Sequence, residues 1–294
     1  MTDPKQILID LKPLKKFFIG IDSDGCVFDT MEIKQKKCFF PNFIKFFNLG
    51  EISEYAKETW EFVNLYSQYR GCNRFQALIK VVDLLKIRSE VSSKNIELPD
   101  LTLLKEWTKT ETKLGNPSLQ KYAGEMNNKV IGQTLEWSKA VNKDIERIVY
   151  EVPPFPFVKD SFEMMFPEAD LMVVSQTPFE ALKREWDENK LTHYLRIIAG
   201  QEMGTKAEHL KYAAKGKYPE NKILMIGDAP GDLHAAKSNN VLFFPIFPGS
   251  ETNSWELFYK EALRKFFNGN FEGAYENSLI NDFNKLLPEK PGWK

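Results

Sequence analysis

The sequence predicts an α/β protein with a Rossmann-like parallel sheet in its core and an all-helical domain inserted after the first strand. Short apolar runs alternate with helix-type segments in the second half of the 294-residue chain. These runs are mostly continuous in apolar residues rather than alternating, which is typical of parallel strands covered on both faces. Strand–helix alternation of this kind indicates an open α/β sheet.

Five runs are predicted to be strands: residues 16–22, 170–175, 195–199, 222–228 and 241–246. Helix-type segments with recognisable starts lie between the last four. Thr177, followed by Pro178 and Glu180, predicts a helix start with Thr177 as the N-cap. Thr205 and Glu208 predict a capping box at the start of another helix.

Residues 32–151 show no strand signal and are expected to form a helical domain of their own. A block this long is not compatible with a loop inside a compact domain, and Asn73 is the predicted N-cap of one of its helices. Three prolines within residues 153–156 stiffen the return to the core. We therefore predict a core of residues 1–31 and 152–294, ending in an aromatic-rich helical extension, and a cap domain of residues 32–151.

The bulk composition is that of an ordinary globular protein. The net charge is −1 and the pI is about 6.4, so neither nucleic acid nor an anionic membrane is expected as a partner. The apolar runs are too short to span a bilayer, and the N-terminus lacks the apolar core of a secretion signal. Three cysteines form no disulfide framework, which favours free thiols in a reducing cytoplasm. For the oligomeric state, the sequence is compatible with both a monomer and a homodimer.

Two carboxylates follow directly on the first predicted strand. Asp22 falls at its carboxyl end, the edge where ligands bind in open α/β sheets, and Asp24 lies two residues further on. Close carboxylates repel each other and are tolerated when a cation lies between them or when one of them carries a proton. Taken alone, this short motif fits a catalytic pair and an acidic turn equally well.

Three later segments bring further polar side chains to the same edge. Ser175 ends the second strand and can donate to a phosphoryl oxygen, although serine at such a boundary is more often a cap. Lys206 lies in the first turn of a helix, where the helix dipole disfavours a cation unless an anion is near. Asp228 ends the fourth strand and Asp232 follows it. Oxygen ligands in this number select Mg²⁺, and the whole set suits a phosphoryl group.

In their order along the chain, these segments resemble the four motifs of the haloacid dehalogenase-like (HAD) superfamily: residues 22–25, then Ser175, then Lys206, then Asp228 with Asp232. The resemblance covers residues 15–29 and 153–247. The block of residues 32–151 is similar to the helical cap that many members carry after the first motif, the C1 type.

The resemblance implies a Mg²⁺-dependent phosphatase that hydrolyses a small phosphorylated metabolite. Asp22 would attack phosphorus and form an aspartyl-phosphate, and Asp24 would protonate the leaving oxygen and then activate water. The metal ligands would be Asp22, the Asp24 carbonyl and Asp228, with Asp232 in the outer sphere. The phosphoryl oxygens would be bound by Ser175 and Lys206, helped by backbone N–H groups of Ser23, Asp24 and Gln176.

Two alternatives remain open at this stage. The second acid, Asp24, argues against a dehalogenase, and the Asp-Gly pair argues against an ATPase-type member. A phosphomutase of the same family, whose cap would hold a bisphosphate and exclude water, is not separated from a phosphatase. A non-catalytic binding protein that kept the fold is a further alternative.

Arg70 and Arg74, on either side of Gly71, are candidates for substrate specificity. Two arginines could bind an acidic leaving group through bidentate contacts. The competing interpretation is solvated charge at a helical corner. The natural substrate is not specified by the sequence.

Overall fold

The computed structural model describes residues 3–94 and 96–293, and the chain divides into two compact units. The core unit comprises the chain up to Met31 together with Glu151–Leu286. The helical unit comprises Glu32–Tyr150 together with the chain from Leu287 onward. The sequence placed everything from residue 152 in the core, whereas here the last residues of the chain group with the helical unit.

The core unit is built on one five-stranded sheet in which all neighbouring strands are parallel. The strands are β1 (Phe17–Ile21), β2 (Ala169–Val174), β3 (Leu195–Ala199), β4 (Ile223–Gly227) and β5 (Leu242–Pro245). Their order is β3-β2-β1-β4-β5. Four of them are buried along their whole length, as expected of strands covered on both faces. The predicted fold class is confirmed, and the carboxyl ends of β2, β1 and β4 lie side by side.

Helices account for the other elements of the described chain. The α-helices are α1 (Gln6–Ile9), α2 (Thr30–Ile33), α3 (Phe40–Phe46), α4 (Ser53–Leu65), α5 (Arg74–Ile87), α6 (Ser89–Ser92), α7 (Thr102–Thr110), α8 (Asn116–Met126), α9 (Lys129–Ile148), α10 (Val158–Met165), α11 (Phe179–Glu188), α12 (Lys206–Ala213), α13 (Pro230–Asn239), α14 (Glu251–Leu257), α15 (Leu263–Phe267) and α16 (Ala274–Leu286). Two π-helical segments, Lys34–Phe39 and Phe258–Ala262, precede α3 and α15. Short 3₁₀ turns cover Gly50–Ile52, Thr192–Tyr194, Gln201–Met203 and Glu220–Lys222. Among the described residues, no helix combines the length and apolar character that a membrane span requires.

The helical unit has its own aromatic core. Within the described part of residues 32–150, all regular secondary-structure elements are helical, as the absence of strand signals predicts. Trp60 lies at the centre, with ring centroids 4.9 Å from Phe43 and 6.2 Å from Trp137. Asn73 caps α5 as predicted, since its side chain accepts from a backbone N–H in the first turn. This unit therefore buries a hydrophobic cluster without using the sheet.

The C-terminal residues join this unit through Trp293. Its ring lies 5.2 Å from Phe62 in an edge-on contact and 4.7 Å from the Arg88 guanidinium. The Arg88 side chain is 4% exposed and also lies over the ring of Tyr55. An arginine held between two aromatic faces is a favourable cation–π arrangement, which explains why the chain end groups with these helices.

The aromatic residues that precede this segment are core residues of the sheet. Phe266 packs against Phe17 of β1 at 5.1 Å, and Phe258 packs against Phe244 of β5 at 4.9 Å. All four side chains are buried. The extension that the sequence left unexplained thus belongs to the hydrophobic core of the sheet, to which it contributes side chains from α14, α15 and α16.

A buried carboxylate at the amino end of β2 ties the N-terminal segment to the sheet. Asp170 is 2% exposed, accepts from the backbone N–H groups of Leu14 and Lys15 and from the Tyr218 hydroxyl, and pairs with Arg196 at 2.6 Å. Burial alone would raise the pKa of Asp170, but these donors outweigh it and hold the pKa below its usual value.

We expect Asp170→Asn to destabilise the protein by on the order of 3 kcal/mol at neutral pH, because it leaves Arg196 without its counter-charge. A carboxylate whose pKa is lower in the folded state stabilises fully above the unfolded value of about 4, and loses this contribution as the pH falls through the folded value. Urea unfolding of both proteins at neutral pH and at about pH 3 checks this. The difference in unfolding free energy between the wild type and Asp170→Asn should shrink in acid. An undiminished difference contradicts a lowered pKa for Asp170. Asp282→Asn, which breaks an exposed pair with Lys285, is the control.

Candidate active site

The central strand delivers Asp22 to the carboxyl edge of the sheet. Its backbone N–H continues the β1–β4 ladder by donating to the Ile226 carbonyl at 2.9 Å. Its side chain is almost fully buried and pairs with Lys206 at 2.8 Å. Burial raises the pKa of Asp22 to about 7, with Asp228 adding to the shift and Lys206 opposing it. In this buried spot, desolvation therefore outweighs the ion pair with Lys206 in setting the pKa of Asp22.

Two more carboxylates reach this spot from β4 and α13. Asp228 follows β4 directly and Asp232 lies in the first turn of α13, and both are fully buried. A Cβ on Gly227 would lie 2.3 Å from the Asp232 Cγ, so only glycine permits this approach. One oxygen from each of Asp22, Asp228 and Asp232 can be chosen so that all three lie within 4.8 Å of one another.

Lys206 lies between two of these carboxylates. Thr205 caps α12 and forms the predicted capping box with Glu208, which fixes Lys206 as the first residue of the helix. The Lys206 ammonium contacts Asp22 at 2.8 Å and Asp232 at 2.6 Å, and its side chain is 15% exposed. Burial alone would lower the pKa of Lys206, but the two carboxylates raise it well above its usual value. The lysine is therefore a fixed positive charge.

Asp24 is held in the turn that follows Asp22. Gly25 has a φ of +77°, a backbone conformation that favours glycine. The Thr30 hydroxyl donates to one carboxylate oxygen of Asp24, and the Thr177 hydroxyl donates to the other at 2.7 Å. The orientation of this carboxylate is thus set by two side chains from different parts of the core unit.

The predicted N-cap role of Thr177 is wrong. The helix begins at Phe179, after an extended Pro178, and no side chain of the N-cap residue closes its first turn. The carboxylate of Glu202 instead accepts from the Phe179 N–H at 3.1 Å, which leaves the Thr177 hydroxyl free for Asp24. Thr177 is the site residue that the sequence interpretation missed, although its position two residues beyond Ser175 was a usable signal.

The remaining predicted phosphate ligands surround the end of β2 and the start of the Asp24 turn. Ser175 is 2% exposed, and its hydroxyl accepts from the Thr177 N–H at 3.1 Å. The Gln176 amide donates to the Gly204 carbonyl at 2.9 Å, which ties this loop to the turn before α12. The Ser23 hydroxyl is fully buried and accepts from the Trp186 indole at 3.0 Å. The Ser23 hydroxyl is therefore engaged by Trp186, and the phosphate-binding role of Ser23 stays a prediction.

Arg70 and Arg74 belong to the helical unit and serve its interior. Arg70 is 3% exposed and donates to the Leu65 carbonyl at 2.9 Å, so it is not a solvated charge. Arg74 donates to the Ser138 hydroxyl at 3.0 Å and to the Asn142 side chain at 2.7 Å. Burial lowers the pKa of Arg74 to about 10. Their part in substrate specificity stays a prediction.

The acidic group suits a hard divalent cation. Three carboxylates face a single ammonium, and all four groups are buried or nearly so. Burial raises the pKa of Asp22 to about 7 and of Asp232 to about 6, and Lys206 opposes both shifts. Oxygen-only ligand sets of this kind match Mg²⁺. The residues present therefore fit this ion.

Comparisons with known proteins give structural likenesses only. No family model matches the chain, and no curated protein matches it. A solved structure from Haemophilus somnus, described as a predicted phosphoglycolate phosphatase, is 14% identical with a TM-score of 0.47, covering 82% of this chain and 90% of that chain. A haloacid dehalogenase-like hydrolase from Streptococcus pneumoniae is 15% identical with a TM-score of 0.45, and the match covers 83% of this chain and 90% of that chain. A haloacid dehalogenase-like hydrolase from Xanthomonas campestris is 9% identical with a TM-score of 0.45, and the match covers 90% of this chain and 98% of that chain.

The four sequence motifs and the helical unit follow a definite order along the chain. Four motifs lie in the predicted order, at the carboxyl ends of β1, β2 and β4 and at the start of α12. Asp22, Asp228 and Asp232, from the first and fourth of these motifs, meet in one buried acidic group, and Lys206 of the third pairs with two of them. The helical unit is inserted between the first motif and the second. The chain thus has a parallel α/β core with an inserted helical unit, and the order of its motifs resembles that of the haloacid dehalogenase-like superfamily.

Proposed function

We propose that the protein is a Mg²⁺-dependent phosphatase that hydrolyses a small phosphorylated metabolite, in the cytoplasm, through an aspartyl-phosphate. The observation that carries this proposal is the pairing of two differently placed carboxylates. Asp22 lies in a buried acidic group against Lys206, whereas Asp24, two residues away, is held outside that group by two hydroxyls. A nucleophile and a separate acid–base group need this difference in surroundings.

In the proposed reaction, Asp22 is the nucleophile. A carboxylate oxygen of Asp22 forms a bond to phosphorus while the bond between phosphorus and the leaving oxygen breaks. Lys206, with its ammonium 2.8 Å from Asp22, neutralises charge on the phosphoryl oxygens. Mg²⁺ would be held by Asp22, Asp228 and the Asp24 carbonyl, with Asp232 in the outer sphere, and would supply further charge neutralisation.

Asp24 handles the proton in both steps. It gives a proton to the leaving oxygen as the first bond breaks, and then takes one from the water that attacks phosphorus. The second step releases inorganic phosphate and regenerates the Asp22 carboxylate. Because Thr30 and Thr177 donate to different oxygens of Asp24, its carboxylate cannot turn freely. Fixed orientation is what efficient proton transfer requires.

Phosphate binding and substrate choice complete the proposal. Ser175, Lys206 and the backbone N–H groups of Ser23, Asp24 and Gln176 form the proposed cradle for the phosphoryl oxygens. We propose that the helical unit acts as a cap that selects the leaving group. Within that unit, Arg70 and Arg74 are the proposed contacts for an acidic leaving group, since arginine binds carboxylate and phosphate through bidentate contacts.

A panel of phosphomonoesters tests the proposal. The purified protein is incubated with each ester and Mg²⁺, and inorganic phosphate and isomerised products are both measured. Phosphate release supports the phosphatase, whereas an isomerised sugar phosphate that needs a bisphosphate and yields little free phosphate indicates a phosphomutase. If no ester reacts and Mg²⁺ does not raise the melting temperature, the proposal fails and the result favours the non-catalytic binding protein.

A further inference from the structure

The loop that carries Asp24 is fixed by groups outside the four motifs. This motif-one loop, residues 23–28, closes on itself because Gly25 N–H donates to the Phe28 carbonyl at 2.8 Å and Val27 N–H donates to the Ser23 carbonyl at 2.9 Å. The Val27 carbonyl accepts from Phe155 N–H at 2.9 Å. Cys26 is fully buried, so its carbonyl also needs a donor.

The C-terminal extension supplies that donor. The indole Nε1–H of Trp255, in α14, donates to the Cys26 carbonyl at 2.7 Å. Trp186, in α11, donates to the Ser23 hydroxyl at 3.0 Å. Both rings are fully buried and pack against Phe162, at 5.8 Å for Trp186 and 6.5 Å for Trp255. Two tryptophans therefore hold the same short loop, one at its first residue, Ser23, and the other within it, at Cys26.

The two contacts differ in what they control. The Ser23 hydroxyl can rotate if Trp186 is lost, because it is a side-chain group. The Cys26 carbonyl is part of the backbone, and it lies between Asp24 and Thr30, whose hydroxyl donates to Asp24. A shift of the backbone at Cys26 therefore changes the position of Asp24 relative to the Thr30 hydroxyl that donates to it.

We infer that Trp255 is a positioning residue for Asp24, and that the C-terminal extension forms part of the catalytic apparatus. Its indole N–H fixes the backbone between Asp24 and Thr30 and thereby aims the Asp24 carboxylate at the leaving oxygen. The inference rests on the proposed function, since it gives Trp255 a role in the proton transfer assigned to Asp24. It also explains why a tryptophan of the extension lies beneath the first motif.

The dependence of rate on the leaving group tests this inference. Trp255→Phe keeps an aromatic ring and removes the donor. An aryl phosphate with a strongly acidic leaving group hardly needs protonation, whereas an alkyl phosphate depends on it. We expect the variant to lose about ten-fold in kcat/KM on the alkyl ester and less than about two-fold on the aryl ester. Asp24→Asn provides the reference for full loss of the acid.

Phe258→Leu is the matched control for packing. Phe258 is equally buried and contacts Trp255 at 5.6 Å, but it makes no hydrogen bond to the motif-one loop. A loss of folded protein lowers both rates by the same factor, so only misplacement of Asp24 changes their ratio. We expect the wild-type ratio for Phe258→Leu. An unchanged ratio in active Trp255→Phe, or an equal change in both variants, overturns the inference.

A second variant covers the case in which Trp255→Phe does not fold. Site-specific benzothienylalanine at this position replaces the indole N–H by sulfur within a ring of the same shape, and the same ratio of rates is measured.

Failure of the proposed function and failure of the positioning role give different results. A wild-type protein without phosphatase turnover refutes the proposed function, and with it the role of Trp255. A normal wild type with an unchanged ratio in the variant refutes the positioning role alone.

Discussion

Asp22→Asn should reduce turnover of an aryl phosphate in the presence of Mg²⁺ by at least about 10⁴-fold. An amide oxygen is a poor nucleophile, so no phosphoryl-enzyme forms, while the side chain keeps its size. The fold should survive, because the change removes one of three carboxylates that face a single ammonium. Steady-state kinetics and thermal unfolding of the same preparations measure both effects.

A beryllium fluoride adduct gives a direct readout of the nucleophile. Beryllium trifluoride binds a nucleophilic carboxylate in place of a phosphoryl group, so ¹⁹F NMR should show bound fluoride in the wild type and none in Asp22→Asn. Asp187→Asn, on α11, is the control because its side chain is 44% exposed and pairs with Lys183. The control should keep full activity and the adduct. A bound adduct in Asp22→Asn would remove Asp22 from the nucleophile role.

The sheet was predictable because four of its five strands are buried along their whole length. A continuous apolar run that ends in a polar residue marks both the strand and its edge, as in β1 before Asp22 and β4 before Asp228. Parallel pairing then places those ends together. The acidic group and its lysine could therefore be inferred from four short segments, without knowledge of the intervening chain.

The contacts that orient the site could not be predicted in the same way. Thr177 and Trp255 reach the motif-one loop from 153 and 229 residues away in sequence, and neither belongs to a repeating local pattern. Thr177 also carried a competing local signal as a helix cap, which the carboxylate of Glu202 overrides. Long-range hydrogen bonds depend on the finished packing, so they leave no periodic trace in the sequence.

Lys206 and the proposed cation share the same carboxylates, so their effects on stability should be coupled. In the metal-free protein, Lys206→Met leaves the buried Asp22 and Asp232 without their ammonium and should destabilise the fold by on the order of 3–5 kcal/mol. Mg²⁺ restores positive charge to the group. We therefore expect Mg²⁺ to raise the melting temperature more in the variant than in the wild type.

Turnover should not recover with stability. Even at saturating Mg²⁺, Lys206→Met should be about 10³-fold slower, because the ammonium that neutralises the phosphoryl oxygens is missing. Lys5→Met is the control, since Lys5 pairs with Glu208 on the same helix α12 but about a third of each side chain is exposed. Equal Mg²⁺-induced shifts in wild type and Lys206→Met would show that the lysine and the cation act on separate groups. Undiminished turnover would exclude Lys206 from phosphate binding and leave it the structural role of joining α12 to the end of β1 and to α13.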